Sequence, residues 1–317
     1  MTDCLSEKWK VYRVITGSTG GVAYRSMLSR TVGELRCIRV FVMTMSMKRR
    51  FLAGFNRFTF LRNLVYTAKH GPAKGFRRQG GYGWLPSCFP GVHEGAVETA
   101  FLAGLDWLDQ TVYDIGCDQG LYTLFFAFHV GPGGRVIAFE PNPRSRERIR
   151  RNVEINGFSN VRVMPVGIGR ERCTLEFTVP PGEPSRGSAD PAIAWDLKAE
   201  GGARIHKFLV NSLDDEIART HLPVPQFIKI DIEGMEYQAL QGMQETLARN
   251  RPALFIELHD CMEAMERRKH LDGVLGLLRD LDYSLYRIES RERVDGRGAD
   301  SVEGGHFYCE PATGRQR

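Results

Sequence analysis

The 317-residue chain is long enough for one large α/β domain with an extension, or for two modest domains. Its 42% hydrophobic and 26% charged residues exclude a disordered or fibrous protein, and no run reaches the ~18 apolar residues of a membrane-spanning helix. The net charge of +5 hides an asymmetry: from Leu35 to His93 there are eleven Lys and Arg residues and no Asp or Glu, so a basic arm precedes a net acidic body and needs an anionic partner or that body itself.

Seven scattered cysteines form no C-x-x-C pair, which argues against a disulfide framework or a metal site and fits reduced thiols in a cytoplasmic protein. The N-terminus lacks the ordered pattern of a secretory signal.

In chain order, residues 1–46 show weak periodicity and are expected to be poorly structured; Met47-Lys48-Arg49-Arg50 resembles a natural start. Apolar residues then recur at helical spacing at Phe51, Phe55, Phe58, Leu61, Val65 and Ala68, which predicts a basic amphipathic helix over 47–69 that either packs on the domain or lies on an anionic membrane surface. A Gly/Pro-rich connector runs to residue 93. From residue 94 to 310 a regular alternation follows, with a tail at 311–317. Helices are expected at 94–108, 120–130, 144–156, 237–250 and 264–281. Buried strands are expected at 111–115, 135–139, 161–166, 227–232 and 253–258, a β-ribbon near 173–179, and a terminal strand pair at 283–288 and 306–309. Such alternation predicts a doubly wound, mostly parallel sheet that binds ligands at the carboxyl ends of its strands.

Those ends carry the chemistry. The first strand ends in Asp114-Ile115-Gly116-Cys117-Asp118-Gln119-Gly120, a tight turn before a helix that lacks the dinucleotide spacing. Asp118 would repel a pyrophosphate, so a cofactor without phosphates suits the turn better and a nicotinamide dehydrogenase is the weakest reading. Glu140, in Phe139-Glu140-Pro141-Asn142, stands twenty residues after Gly120, near the ~20 expected of an acid that grips ribose hydroxyls. Gly167, after the third strand, offers backbone for an adenine ring. Period two puts Lys229, Asp231 and Glu233 on one face of an apolar strand, where their burial is costly unless they pair or react. Lys229 has Asp231 or Glu257 as candidate partner. Glu257 and His259 share a face of the next strand, and His259 is a candidate base near neutral pH.

These residues resemble the FkbM family of methyltransferases. The resemblance rests on Val112–Gly116 with Gly120-Leu121-Tyr122-Thr123, Gly134–Pro143, Asn152 and Asn156, Ile228–Gly234 with Glu236, and Arg251–His259. It implies a class I methyltransferase Rossmann-like fold, mostly parallel with an antiparallel terminal strand, preceded here by the basic helical extension. It also implies S-adenosyl-L-methionine as cofactor and O-methylation of a small-molecule hydroxyl on a sugar, polyketide or lipid-linked glycan. Carried onto this chain, it makes Asp114, Gly116, Gly120 and Glu140 cofactor contacts and puts Asp231 on an acidic motif position. The residues' own placement adds Tyr122, Asn142, Gly167 and Asp231 to the cofactor side and sets Asp231, His259 and Lys229 at the chemistry, with His259 or Asp231 as the base. Glu233 and Glu257 fall on acidic motif positions, and Glu94 or Glu98 loosely matches an upstream acid. Cys117-Asp118 departs from the usual alanine-asparagine. No metal and no nucleic acid are expected. Two other classes remain: a nucleic-acid methyltransferase using the basic arm, and a non-catalytic scaffold held at a membrane through residues 47–69.

Overall fold

A computed structural model describes residues 64–79, 96–179, 204–259, 264–294 and 304–312. Residues 1–46, most of the expected basic helix, residues 94 and 95, and residues 180–190, whose Gly, Pro and Ser content predicts a loop, lie outside the described residues. The elements are β1 (Val65–Thr67), β2 (Arg77–Gln79), α1 (Ala96–Leu102), β3 (Thr111–Ile115), α2 (Leu121–His129), β4 (Arg135–Phe139), α3 (Pro143–Ile155), β5 (Val161–Met164), β6 (Gly167–Ile168), β7 (Cys173–Val179), β8 (Arg204–Asn211), α4 (Leu213–Thr220), β9 (Phe227–Ile230), α5 (Glu236–Gln241), α6 (Gln244–Asn250), β10 (Ala253–Leu258), α7 (Ala264–Asp280), β11 (Tyr283–Arg287) and β12 (Gly305–Pro311).

The central sheet runs β11-β12-β10-β9-β3-β4-β5. Its core strands are parallel, and β12 is antiparallel to both β10 and β11. Chain direction across the sheet reverses between β3 and β9, the switch point where a doubly wound sheet opens a crevice at its carboxyl edge. This is the class I methyltransferase fold. Buried parallel strands carry apolar side chains on both faces, as Val112, Tyr113 and Ile115 of β3 do. One face packs Ile228, Ile230, Leu254 and Ile256 under Leu240, Leu247, Val274 and Leu278 of the helices. The other packs Phe227 and Phe255 with Leu102, Trp107, Phe125 and Phe126. Lys229 lies on this second face, in register with Asp114 and Phe255.

Several expected elements change. The helical stripe ends too late: Val65 belongs to β1, which pairs antiparallel with β2. The pair docks on α3, where Asn152 and Asn156 accept the backbone N–H groups of Gln79 and Arg77 through their Oδ1 atoms (2.8 and 2.9 Å). Arg78 turns inward, is buried, and donates to Gln119 Oε1 at 3.3 Å. Part of the basic arm thus meets the acidic body. The expected helix 237–250 is broken into α5 and α6 where Gly242 (φ −88°, ψ 3°) and Met243 (φ −129°, ψ 20°) leave helical backbone, and position 242 must be glycine because an added Cβ would stand 1.9 Å from the Gly169 carbonyl oxygen. The strand expected over 161–166 stops at Met164, and β6 joins β8 and β7 in a separate three-stranded sheet. β9 ends at Ile230, so Asp231 and Glu233 lie on the turn beyond it.

Candidate functional site

Two groups of residues meet at the switch point. The first surrounds the turn after β3. Gly116 (φ 81°) and Gly120 (φ 77°) adopt left-handed backbone that glycine takes without cost. At Gly116 the need is absolute, since an added Cβ would lie 1.9 Å from the Asp231 carbonyl oxygen. Cys117 turns inward against Ala138 and Ile149. Glu140 faces the turn and is fixed from both sides: its Oε2 accepts the Asp118 N–H (3.0 Å) and its Oε1 the Asn142 N–H (2.8 Å). Asn142 also caps α3 by accepting the Arg144 N–H, and Gly167 sits near Pro141, where an added Cβ would meet that ring at 3.5 Å. Burial outweighs the two backbone hydrogen bonds and the pull of Arg146 and pushes Glu140 up to about 8. Asp118 points away, accepting from the Ser145 hydroxyl of α3 at 3.3 Å; burial raises its carboxyl as well.

Asp114 is buried and its Oδ2 accepts the Thr123 hydroxyl at 2.6 Å, while Oδ1 has no hydrogen-bond partner. Burial raises this carboxyl and Lys229 opposes the rise. An orphaned acceptor beside a glycine turn, and a pinned carboxylate with lone pairs to spare, fit a ligand that brings a cation and vicinal hydroxyls.

The second group is a closed ring of alternating charge. Lys229, 1% exposed, lies 2.9 Å from Asp231 Oδ2 and 3.8 Å from Glu98 Oε1, with its Nζ 4.7 Å from the Tyr122 ring centroid. Tyr122 is thus a wall for the lysine, its hydroxyl 3.3 Å from Thr99 Oγ1. Asp231 Oδ1 is 3.7 Å from His259 Nε2, which is 3.5 Å from Glu257 Oε1. Glu257 Oε2 is 3.6 Å from His306 Nε2, which returns to Glu98 Oε2 at 3.5 Å. Burial lowers the affinity of Lys229 for its proton, but Asp231, Glu98 and Asp114 outweigh it and the net shift is upward. Burial likewise opposes charge on His259, yet the Glu236 hydrogen bond and Glu233 lift it to about 9; Glu257 and Glu289 do the same for His306. A histidine that already holds its proton at neutral pH is poorly suited to take another.

The lysine's partners are therefore Asp231 and Glu98, not Glu257. Asp231, Lys229 and His259 come together as the spacing predicts. Glu233 stands at φ 54°, with Oε2 3.7 Å from His259 Nε2. Sequence reasoning missed His306 and Glu289, and it left Glu98 loosely placed. His306 faces Glu257 only because β12 returns antiparallel beside β10, in register Glu257 to His306, and no local motif encodes that pairing.

The family model of the methyltransferase FkbM domain matches residues 114–285, from the glycine turn to β11. The chain is 28% identical over 186 residues to the 2-O-methyltransferase NoeI of Sinorhizobium fredii, covering 54% of this chain and 71% of that protein. It is 24% identical over 188 residues to the hexuronic acid methyltransferase AglP of Haloferax volcanii, covering 57% and 72%. Among solved structures, the methyltransferase FkbM from Methylobacillus flagellatus aligns with 21% identity and a TM-score of 0.40, over 65% of this chain but only 45% of that one. With more than half its length matched by the family model, this chain belongs to the FkbM family of S-adenosylmethionine-dependent methyltransferases.

Proposed function

We propose that the chain methylates a hydroxyl group of a sugar or sugar-like small molecule. The observation that carries this reading is the direct junction of the two groups: the Asp231 N–H donates to the Ile115 carbonyl at 3.0 Å, and Gly116 abuts the Asp231 carbonyl. A molecule held at the turn therefore ends beside the charged ring. Relatives named for a 2-O-methyl transfer and for a hexuronic acid support a sugar hydroxyl as acceptor.

S-adenosylmethionine, when bound, supplies an electrophilic methyl group on a sulfonium that leaves as a neutral thioether. The residues of the chain do the rest. Glu140 accepts the ribose hydroxyls, and its two backbone amide bonds keep it in place while it does so. Gly116 and Gly120 let the backbone approach, Gly167 and Asn142 border the adenine side, and Asp114 Oδ1 balances a positive end of the donor. Lys229 holds Asp231 by one oxygen and leaves the other facing the cleft, where it orients the acceptor hydroxyl. The proton released as the new C–O bond forms passes to the carboxylates of the cluster. Alignment of hydroxyl and methyl group is the main contribution, worth up to ~7–11 kcal/mol for well-oriented partners.

The test is a labelled-methyl transfer assay over a panel of sugars, uronic acids, lipid-linked glycans and polyketides. At least one hydroxylated acceptor is expected to be labelled, and Asp231→Ala to slow it by roughly 10²–10⁴-fold while calorimetry still detects donor binding. If Asp231→Ala transfers as fast as wild type, the role given to Asp231 is wrong.

A further inference from the structure

The two histidines of the ring are mounted alike. His259 Nδ1 lies 3.0 Å from Glu236 Oε1, and His306 Nδ1 lies 2.8 Å from Glu289 Oε1. Each bond occupies one ring nitrogen and aims the other at carboxylates. Around His259 Nε2 stand Glu257 Oε1 at 3.5 Å, Asp231 Oδ1 at 3.7 Å and Glu233 Oε2 at 3.7 Å. These separations are too long for strong hydrogen bonds, and they are nearly equal. They match ligand atoms around a shared ion: two atoms each ~2.1 Å from a metal and about 110° apart stand ~3.4 Å from one another. A metal-bound imidazole almost always donates its second N–H to a carboxylate. Glu236 suits that role, because it is fully buried, accepts the Gly234 N–H at 3.0 Å and has His270 Nε2 2.9 Å from its Oε2.

Charge points the same way. Asp114, Glu98, Asp231, Glu233, Glu236, Glu257 and Glu289 outnumber the lysine and the histidines they face. Glu98, 4% exposed, accepts no hydrogen bond at Oε1 but is faced there by Lys229 Nζ at 3.8 Å, so it adds negative charge to the ring without being a ligand.

We propose that Asp231 Oδ1, Glu257 Oε1 and His259 Nε2 bind one divalent metal ion, which displaces the Nε2 proton to solvent, with Glu233 in reach as a fourth ligand. All three ligand atoms lie within 4.8 Å of one another, and all three side chains are partly exposed, so an ion and an acceptor can both reach them. The trio Glu98, Glu257 and His306 has similar spacing, but Glu98 is buried there with Lys229 close by. Two carboxylate oxygens and one imidazole suit Mn²⁺, Fe²⁺ or Zn²⁺. The ion's role rests on the acceptor reading above; its binding does not. In that role it coordinates the acceptor hydroxyl and makes it more acidic. Asp231 then serves as a ligand, and the hydroxyl proton passes to a Glu233 oxygen while the oxygen keeps its electron pair for the methyl carbon.

The test titrates chelator-treated full-length chain, with S-adenosylmethionine present, with Mn²⁺ and follows unbound Mn²⁺ by electron paramagnetic resonance. One ion per chain is expected, with His259→Ala and Glu257→Gln each weakening it at least tenfold. Glu236→Gln, which touches no ion, is expected to weaken it ~10–100-fold through the orientation of His259. Melting curves check that each variant folds; should His259→Ala fail to, the wild-type titration and the exposed Glu233→Gln variant decide. No saturable binding by wild type at millimolar Mn²⁺, or equal binding by the variants, overturns the proposal. Mn²⁺ binding that the variants lose, without methyl transfer to any acceptor, would uphold the ion and reject the acceptor reading.

Discussion

The turn after β3 and the ring after β9 lie side by side but differ in their carboxylates: burial raises Glu98 and Glu233 at the ring as it raises Glu140 and Asp118 at the turn, whereas only carboxylates hydrogen-bonded to histidines at the ring fall. At the turn, Glu140 is buried and Asp118 partly so, and burial outweighs their hydrogen bonds and the nearby arginines, so both are pushed toward the neutral acid. At the ring, Glu257 stands against His306 and, behind His259, Glu236 stands against His259 and His270. Hydrogen bonding to His306 holds Glu257 below its usual range, and at Glu236 the bonds to His259 and His270 overcome burial to reach about 2. Burial alone does not set the charge of a carboxylate; the partner at hydrogen-bond distance does. A neutral-leaning pocket suits a ligand that brings its own hydroxyls and cation. A charged ring suits proton movement and ion binding.

The largest effect should come from removing the cation that the ring is built around. Lys229→Met removes the cation from the buried Asp114 and leaves Asp231 and Glu98 with only their histidines at 3.7 and 3.5 Å, and is expected to cost roughly 3–5 kcal/mol. Urea unfolding of the variant reads this directly. A loss below about 1 kcal/mol would mean that the ring behaves like a surface ion pair, and the contrast between the two regions would fail.

Next in size is the seam between them. Gly116→Ala combines positive φ, which costs about 1–2 kcal/mol for a residue with a Cβ, with a Cβ driven into the Asp231 carbonyl. Both regions should suffer together: donor affinity and methyl transfer fall in the same variant, and its unfolding midpoint drops. If donor affinity alone changed, the seam would not couple them.

How much of this is legible in the sequence follows from what each element packs against. Strands β3, β4 and β10 are bounded correctly because a buried parallel strand is a continuous apolar run closed by turn residues. β8 is not foreseen, since its alternating Ile205, Lys207 and Leu209 are exposed and pair only with β7. The β1 strand reads as helix because Val65 fits both periods and only its pairing with Gln79 decides. At the site, Asp231 and His259 can be read because motif residues near strand ends share the edge where ligands bind. Glu98, His306 and Glu289 come from α1, β12 and the segment after β11, and their convergence depends on tertiary return.

Glu140 sharpens the comparison through pH. Its folded value, about 8, lies above the ordinary 4.5, so the folded state binds its proton more tightly than the unfolded chain. That contribution to stability is complete below about 4.5 and is lost as pH rises toward about 8. Relative to Glu140→Gln, wild type should therefore lose stability across this window. Donor binding should run the other way, since the ribose needs an ionised acceptor. Calorimetry is expected to find wild-type affinity rising with pH through about 8. Glu140→Gln should show no such rise, and at high pH it should bind about tenfold to a hundredfold more weakly, the loss of one charged hydrogen bond. A pH-independent wild-type affinity would remove Glu140 from the ribose.

The smallest expected effect concerns Asp118, the residue that departs from the family's usual asparagine. Its carboxylate accepts from Ser145 and is drawn electrostatically to Arg148 and Arg78, so it faces α3 and the inward-turned end of the basic arm. Its φ of 39° is one that asparagine tolerates as well as aspartate. Asp118→Asn keeps an acceptor for Ser145 and the N–H that donates to Glu140, and removes only a partly buried charge. Donor affinity should therefore stay within about threefold and stability within about 0.5 kcal/mol. The Glu140 titration should move down, because a negative neighbour that raises it is gone. A tenfold change in donor affinity without that downward shift would make Asp118 a donor ligand, and the turn would then carry a charge of its own against the sulfonium.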